Sequence, residues 1–278
     1  MRRLVLLELE KVFKKGRSYI AFGAIILIIL LIQIGLKVEG GFMLDLLMIS
    51  LKDNFYYQGN LLNGYLVSYV VLNTLWIHVP LLIAIVTGDL VSGEAQQGTL
   101  RLLLTRPVSR GKLVSAKFFG AIIYATLMVV VVAVFSLAIG IPLFGKGDLL
   151  VMFNRLNIFA QDDVMWRFLL AYSFGIIGMW VIASLSLLFS VFSKNSLGPI
   201  LLTFAVLIVF NILSTFEFGI FDSITPFLFT TYINSWMLFF DYDLQLNEIY
   251  LSLGVLIMHV VVLYAIAYLA FVRKNITS

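Results

Sequence analysis

The feature that most constrains this chain is a series of six apolar stretches, each close to or above the length of a membrane-spanning helix. About 20 apolar residues are needed to cross a hydrocarbon core. The stretches cover residues 19–36, 67–87, 118–144, 168–192, 198–213 and 249–272. Of the 278 residues, 62% are hydrophobic and 12% charged, whereas a soluble domain averages about 45–50% and 25%. The sequence therefore predicts one membrane domain over residues 1–278.

The length of these stretches also predicts their secondary structure. Backbone amides in hydrocarbon must be paired within the protein, which leaves helices or closed barrels. Barrel strands are short and alternate in polarity, and these runs do neither. We therefore predict an all-α integral membrane protein. The chain has no cysteine, so disulfides, thiolate metal sites and cysteine nucleophiles are excluded.

The distribution of charge predicts the orientation. Lysine and arginine accumulate in cytoplasmic segments. Fourteen of the 19 lysine and arginine residues lie in four segments: the N-terminal segment, the loop between spans two and three, the loop between spans four and five, and the C-terminus. Eleven of the 15 aspartate and glutamate residues lie on the opposite side. Both termini are therefore expected in the cytoplasm. These cations flank apolar segments and form no continuous basic block, so we expect no nucleic-acid partner.

Three segments outside the spans have their own predictions. Residues 1–18 are predicted to form an amphipathic helix in the cytoplasmic interface, with Glu8 on its polar face. Residues 40–66 are interpreted as an external loop with interfacial helix content. The apolar and aromatic segment 224–240 is either a re-entrant hairpin or an interfacial aromatic belt, and the sequence leaves both open.

The cytoplasmic loop 88–117 is the most informative segment and is predicted to contain two short helices. Ser92 is the predicted N-cap of the first, which places Glu94 in the first turn, where the helix dipole favours an acid. Leu100, Leu103 and Leu104 form an apolar stripe. Pro107 ends this helix. Ser109 is predicted to cap the next one, in which Arg110, Lys112 and Lys117 are expected at headgroup level.

The same loop resembles the signature loop of ABC-2 type permeases. The resemblance is carried by the pattern E-x-x-x-G-T-L-x-x-L-L-x-x-P-x-S-R, formed by Glu94, Gly98, Thr99, Leu100, Leu103, Leu104, Pro107, Ser109 and Arg110. The basic N-terminus, the six spans and the apolar segment before the last span extend it over the chain. Within the superfamily, the chain is most similar to permeases of the bacitracin-resistance, sodium-extrusion, copper-site-maturation and gliding-motility group.

The resemblance implies a fold, partners and a site. It implies a transmembrane permease in a bacterial cytoplasmic membrane, paired with a second permease copy and with a cytosolic ABC ATPase, which binds ATP-Mg so that this chain needs no cofactor. The loop would be the coupling helix. The implied ATPase-coupling interface comprises Glu94, Gly98, Thr99, Leu100, Leu103, Arg106, Pro107 and Arg110. The acidic external face would also suit a basic external partner.

Plainer interpretations stand beside this one. Arg106 and Arg110 would be basic in any multi-span protein, because they hold the loop inside. A glycine in a helix costs about 1 kcal/mol relative to alanine, so Gly98 is explained if a partner's backbone approaches closely. The spacing of Gly93 and Gly98 is superficially similar to that of a phosphate-binding loop, but no lysine follows and a span precedes, so no ATPase or other catalytic activity is expected.

Within the spans, His78 is singled out as a pathway or packing residue. Two other functional classes remain open: an ion-coupled secondary transporter, and a non-transporting anchor or mechanotransmitter in an ABC-like complex. The first would need intramembrane carboxylates, and the spans contain none. The second has the same sequence features as a permease.

Overall fold

The computed structural model describes residues 1–47, 60–104, 107–152, 156–215 and 223–274. Ten α-helices lie in these ranges: α1 Arg2–Lys14, α2 Gly16–Leu47, α3 Gly64–Thr87, α4 Asp89–Gln96, α5 Thr99–Leu104, α6 Arg110–Phe144, α7 Met165–Phe192, α8 Leu197–Thr215, α9 Phe229–Ile233 and α10 Leu246–Arg273. Two 3-10 helices, Thr225–Phe227 and Asn234–Phe240, flank α9.

The six predicted spans are confirmed, because each lies inside one long apolar helix: α2, α3, α6, α7, α8 or α10. Of the described residues, 83% are helical, as expected for an all-α integral membrane protein. Every helix extends past the predicted span, since capping and packing determine helix ends whereas hydropathy detects only the apolar part. Helix α2 runs to Leu47, so the segment predicted as a loop from residue 40 begins as helix, and residues 48–59 of it lie outside the described residues.

Helix α7 forms the centre of the bundle. Its most apolar window is 78% buried, against 11% for α8 and 17% for α10. It packs against α3, α6, α8 and α10. Gly175 allows α3 to approach closely, because a Cβ there would lie 2.9 Å from the Trp76 ring. The outer helices α8 and α10 expose most of their surface, which in a membrane is covered by lipid or by another chain.

A two-stranded antiparallel hairpin between α6 and α7 was not predicted. Strands β1 Leu149–Met152 and β2 Leu156–Phe159 pair with Leu149 opposite Phe159. Their inward residues alternate with outward ones, and Leu149, Val151 and Phe159 are buried. The sequence gives no signal for this hairpin, because four-residue strands are too short for a periodicity signal in a sequence this apolar.

The segment before the last span follows the path of a re-entrant segment. Its Phe227 carbonyl lies 3.1 Å from His259 Nε2, at the middle of α10, whereas Ser235 hydrogen-bonds to Ser252 (2.9 Å), closer to the start of that helix. The segment therefore runs along α10 from the middle of that helix towards its N-terminal end. Trp236 and Phe229 are buried inside the bundle. These contacts favour a re-entrant segment over an aromatic belt at the surface.

Arg167 holds the C-terminal end of this segment. Its guanidinium donates to the carbonyls of Phe239 (2.9 Å) and Asp241 (2.8 Å), pairs with Asp163 (3.1 Å), and stacks 4.1 Å over the Phe159 ring. One side chain at the start of α7 thus joins the hairpin, the re-entrant segment and the bundle.

Candidate coupling site

The cytoplasmic loop folds into α4 and α5, which we call the coupling segment (residues 89–104). Helix α4 begins at Asp89, directly after α3, and Gly88 between them keeps helical dihedral angles (φ −65°, ψ −21°). The prediction that Ser92 is the N-cap was therefore wrong: Ser92 is in the second turn, where its hydroxyl donates to the Gly88 carbonyl (2.7 Å). Residues 64–96 form one nearly continuous 33-residue rod, about 50 Å long at 1.5 Å per residue.

This earlier start moves Glu94 to the last turn of α4. A carboxylate is unfavourable there, because the C-terminal end of a helix carries partial negative charge. The predicted placement of Glu94 in the first turn was wrong. An acid at this position needs cations from elsewhere in the chain.

Gly98 is explained by backbone geometry. It lies between α4 and α5 with φ +70°, and a Cβ added there would meet no atom within 4 Å. Left-handed dihedral angles at the residue that follows a helix favour glycine. The interpretation of Gly98 as a glycine inside a helix was wrong. Its backbone turns the chain so that α5 folds beside α4.

The cations that Glu94 needs come from α1 and α6 and complete a four-charge ring. Lys117 Nζ lies 2.7 Å from Glu94 Oε2 and 2.8 Å from Glu8 Oε2. Lys11 Nζ lies 2.9 Å from Glu94 Oε1 and 2.6 Å from Glu8 Oε1. Each lysine bridges both carboxylates, so the ring is neutral.

The ring is buried and well paired. The Lys117 side chain is 0% exposed, Glu8 5% and Glu94 10%, whereas Lys11 is 40% exposed. Lys117 donates hydrogen bonds to Glu8 Oε2 (2.8 Å) and to the Leu90 carbonyl (2.9 Å), whereas its 2.7 Å contact with Glu94 Oε2 is an ion pair without a hydrogen bond. Burying an unpaired charge costs several kcal/mol. The ring therefore requires α1, α4 and α6 to be together.

The environment shifts the pKa values of the α1 members of the ring. Burial alone would raise the pKa of the Glu8 carboxyl, but the charge of Lys117 and hydrogen bonds from Lys11 and Lys117 outweigh burial and hold it below its usual 4.5. Burial alone would lower the pKa of Lys11, but hydrogen bonds and charge from Glu8 and Glu94 raise it above 10.5. Both directions favour the charged forms at neutral pH.

The rest of α4 is attached on its other sides. Lys15 and Arg17 pair with Asp89, at 2.7 and 2.9 Å, in the first turn. The Ser190 hydroxyl of α7 accepts hydrogen bonds from the amides of residues 91 and 92, and Gln96 accepts from both the amide and the hydroxyl of Ser196 at 3.0 Å. Helix α4 is thus held by α1, α6, α7 and the turn that leads into α8.

The predicted interface residues fall into two groups. Glu94 and Leu100 (2% exposed) face inward, so their contacts are within this chain. The Thr99 hydroxyl donates to the Glu94 carbonyl (3.2 Å). Leu103 is half-buried, and Gly98 and Pro107 are exposed. Arg106 lies outside the described residues.

Arg110 connects the coupling loop to the last span. Its guanidinium donates to the carbonyls of Lys274 (2.7 Å) and Val272 (3.3 Å), at the C-terminal end of α10. A cation suits this end, whose last carbonyls have no intrahelical partner. Ser109 caps α6 as predicted, since its hydroxyl accepts from the Lys112 amide (3.4 Å). Lys112 is exposed, whereas Lys117 is buried in the protein, so its predicted place at headgroup level was wrong.

Sequence reasoning missed three members of the ring: Glu8, Lys11 and Lys117. Glu8 was assigned to the polar face of α1, but Glu8 and Val12 are its two buried residues. A usable signal was present for Lys117, which is directly followed by the longest apolar run. A lysine at that position needs a buried carboxylate or a path to the headgroups.

The histidines occupy outer positions in their helices. His78 lies on an exposed face of α3 with Asn73 and Thr74, and its Nδ1 contacts the Thr74 carbonyl (2.9 Å). It is therefore not packed within this chain. His259 was overlooked although it lies in the sixth predicted span, and it contacts the re-entrant segment through the Phe227 carbonyl.

Within the described ranges, no group of three or more His, Cys, Asp or Glu side chains is arranged to hold a metal ion.

Comparison with known proteins gives one family. The family model described as "ABC-2 family transporter protein" matches residues 4–211, which includes most of α1, the coupling segment and most of α8. A search of the curated proteins finds no match.

Proposed function

Because this chain belongs to the ABC-2 family of transporter proteins, a family of multi-pass membrane transport subunits that are not themselves catalytic, we propose that it receives mechanical work from a separate cytosolic ATP-binding subunit. In this proposal the coupling segment is the receiver. ATP-Mg binds to the partner, and this chain converts a push on residues 89–104 into rearrangement of its helices, for export or mechanical handling of a substrate.

The observation that carries the proposal is the attachment of the coupling segment. Its exposed side includes Gln97, Gly98 and Leu102 (68% exposed). On its inner side, Glu94 is ion-paired with α1 and α6 in the four-charge ring. A force applied to the exposed side would therefore reach the first and third spans through buried ion pairs. It would reach the second span directly along the α3–α4 rod.

The contacts of Arg110 support a further path. Because its guanidinium holds the last carbonyls of α10, the loop that follows α5 is joined to the sixth span. A rigid attachment at several spans is what a receiver of mechanical work needs. A purely topogenic loop has no need of buried ion pairs.

We propose that a second permease copy covers the polar face of α3. Asn73, Thr74 and His78 are exposed there, in the middle of a span, and polar side chains facing lipid are costly. Helix α8 packs beside α3 and is only 11% buried. The exposed surface of α8 is a second place that suits another copy. Membership in the bacitracin-resistance, sodium-extrusion, copper-site-maturation and gliding-motility group also remains a proposal.

The proposal is tested by co-expressing the chain with the ATP-binding subunits of its own genome, one at a time. We expect one of them to co-purify and to show faster ATP hydrolysis with the chain in proteoliposomes. The variant Leu102→Glu places a charge on the exposed side of α5 and should remove most of this stimulation. The matched control is Tyr242→Glu, which places a charge on an exposed side chain before α10 and outside the spans, with the correctly inserted fraction of each variant measured.

Two results would contradict the proposal. If no ATP-binding subunit co-purifies with the folded wild-type chain, the chain does not work with such a partner. If one co-purifies and Leu102→Glu stimulates hydrolysis as well as wild type, the coupling segment is not the receiver.

A further inference from the structure

His259 contacts two carbonyl oxygens, one through each ring nitrogen. Its Nδ1 lies 2.8 Å from the carbonyl of Val255, one turn earlier in α10, and its Nε2 lies 3.1 Å from the carbonyl of Phe227 in the re-entrant segment. A carbonyl oxygen only accepts hydrogen bonds, and a neutral imidazole has one N–H. A neutral ring therefore satisfies one of the two contacts, whereas the imidazolium, with two N–H donors, satisfies both.

The first turn of the re-entrant segment, Thr225–Phe227, presents three successive carbonyls to side chains, and we call it the tip. Two of these carbonyls accept hydrogen bonds from the hydroxyls of Thr231 and Tyr232, at 2.9 and 3.0 Å, which belong to the same segment. The third, that of Phe227, is held from α10 instead. The ring of His259 therefore determines whether the tip is joined to the sixth span.

The re-entrant segment also contacts the fifth span. The Thr230 hydroxyl donates to the Phe210 carbonyl of α8 (3.0 Å). The Phe229 ring packs against the rings of Phe210 and His259, with centroids 5.6 and 6.0 Å away. A segment that is attached on both sides holds α8 and α10 in one arrangement. The contact at His259 therefore affects the relative position of the fifth and sixth spans.

We infer that His259 is a proton-binding site whose imidazolium fastens the tip to α10. When the proton leaves for water, one N–H remains for two carbonyls. The Val255 carbonyl is fixed in the same helix, one turn away, whereas the tip belongs to an irregular segment. The Phe227 contact is therefore the one that is given up. The inference goes beyond the proposed function and needs no ATP-binding subunit.

The position of His259 makes proton binding and tip docking depend on each other. It lies near the middle of α10, where a charge in a span is costly. Helices α6, α7 and α9 and the second 3-10 helix pack on α10. All of these elements lie in the described ranges, and their charged residues, with those of α10, lie near helix ends: Arg110, Lys112, Lys117, Arg167, Glu248 and Arg273. The two carbonyls are therefore the groups that stabilise the imidazolium, and losing one disfavours the proton.

Among these elements, His259 is the group expected to change charge between pH 5 and 8. Histidine is the side chain whose unperturbed titration falls in this range. Tyrosine side chains titrate far above it, and those on α6, α7, α9 and α10 are Tyr124, Tyr172, Tyr232, Tyr250, Tyr264 and Tyr268.

His78 offers a matched control, because it is the other of the two histidines in the chain. Its Nδ1 contacts the Thr74 carbonyl one turn earlier in α3 (2.9 Å), as His259 does in α10. Among the described residues, its ring makes no hydrogen bond to a second carbonyl. Protonation of His78 should therefore leave the tip where it is.

The test follows the tip with a nitroxide spin label on Phe227→Cys, in the full chain in nanodiscs of zwitterionic lipid. The chain has no other cysteine, and the Phe227 side chain is 72% exposed, so the label replaces a side chain that packs little. We expect an immobile spectrum at pH 5 and a mobile component that grows towards pH 8. The ratio of mobile to immobile label should rise about tenfold, as expected for loss of a hydrogen bond to a charged group.

Two variants and a second label position show which group responds. Glutamine can donate to the Phe227 carbonyl but does not titrate, so His259→Gln should keep the ratio constant within about twofold from pH 5 to 8. The variant His78→Gln should retain the wild-type response. A label on Tyr242→Cys, which is exposed and lies beyond the re-entrant segment, should not respond in any of these chains.

Three results would overturn the inference. They are an unchanged mobility of the label at position 227 between pH 5 and 8, a response that survives in His259→Gln, and a response that His78→Gln also removes. The first is measured with both histidines intact, so a misfolded variant cannot conceal it. None of these measurements involves ATP hydrolysis, so the proposed function is judged separately by co-purification and by Leu102→Glu.

Discussion

Replacing Lys117 by methionine removes the most deeply buried cation of the four-charge ring while keeping a similar volume. Glu8 and Glu94 would then share Lys11 alone, and two carboxylates with 5% and 10% exposure would carry an uncompensated negative charge. Removing one partner of a buried ion pair costs about 3–5 kcal/mol. We expect Lys117→Met to lower the free energy of unfolding by this amount.

The assay is thermal unfolding of purified protein in detergent, followed by intrinsic tryptophan fluorescence. A loss of this size lowers the midpoint by roughly 5–9 °C for a chain of this length. The matched control is Lys112→Met, which removes an exposed lysine from the same helix and should shift the midpoint by less than about 2 °C.

A double variant separates charge from packing. Lys117→Met with Glu94→Gln leaves Glu8 and Lys11 as a balanced pair, so we expect it to recover more than half of the lost stability. Equal midpoints for Lys117→Met and Lys112→Met would refute the reasoning about the ring. Failure of the double variant to recover stability would show that packing of the Lys117 stem dominates.

Three further predictions concern pH and close contacts. The pKa of Glu8 is lowered, so the stability that Glu8 contributes is present above pH 4.5 and is lost as pH falls through the lowered pKa. The pKa of Lys11 is raised above 10.5, so the stability that Lys11 contributes is lost only as pH rises through the raised pKa. In the His259→Gln variant, the unfolding midpoint should therefore be flat from about pH 5 to 10. Gly64→Ala should lower stability by about 2–3 kcal/mol in the same assay, because its Cβ would lie 2.5 Å from the Ile141 Cα, whereas Gly254→Ala meets no atom within 4 Å and should be near neutral. Arg110→Gln should speed hydrogen exchange in the last turn of α10 by about tenfold, since two carbonyls lose their charged donor; unchanged exchange would exclude this role.

The spans and the start of α6 could be predicted because their signals are local. A run of apolar residues reports its own burial, and Ser109 caps the helix that begins at the next residue. The four-charge ring could not be predicted this way. Lys117 and Glu8 are 109 residues apart, and helical periodicity alone assigned Glu8 to the wrong face of α1.

Other errors concerned signals that are local in the sequence. Gly98 follows α4 at the position where helices commonly end in a glycine with positive φ, so the sequence already allowed a helix end there. His259 lies inside a predicted span and needed only to be counted. The hairpin at 149–159 is different, because its alternation is hidden among apolar residues and β1 packs against α3, which is distant in sequence.

The ring also sets an order for biogenesis. Ribosomes release residues from the N-terminus onward, so α1 and Glu8 emerge long before Lys117, which follows two complete spans. Until the third span begins to insert, α1 lacks its buried cation and has no finished place to dock. The N-terminal helix must therefore wait at the membrane surface, where its basic residues hold it, and the arrival of Lys117 closes the cytoplasmic end of the first three spans in one step. A chain stalled before residue 117 would leave Glu8 and Glu94 without the buried cation that pairs with both of them.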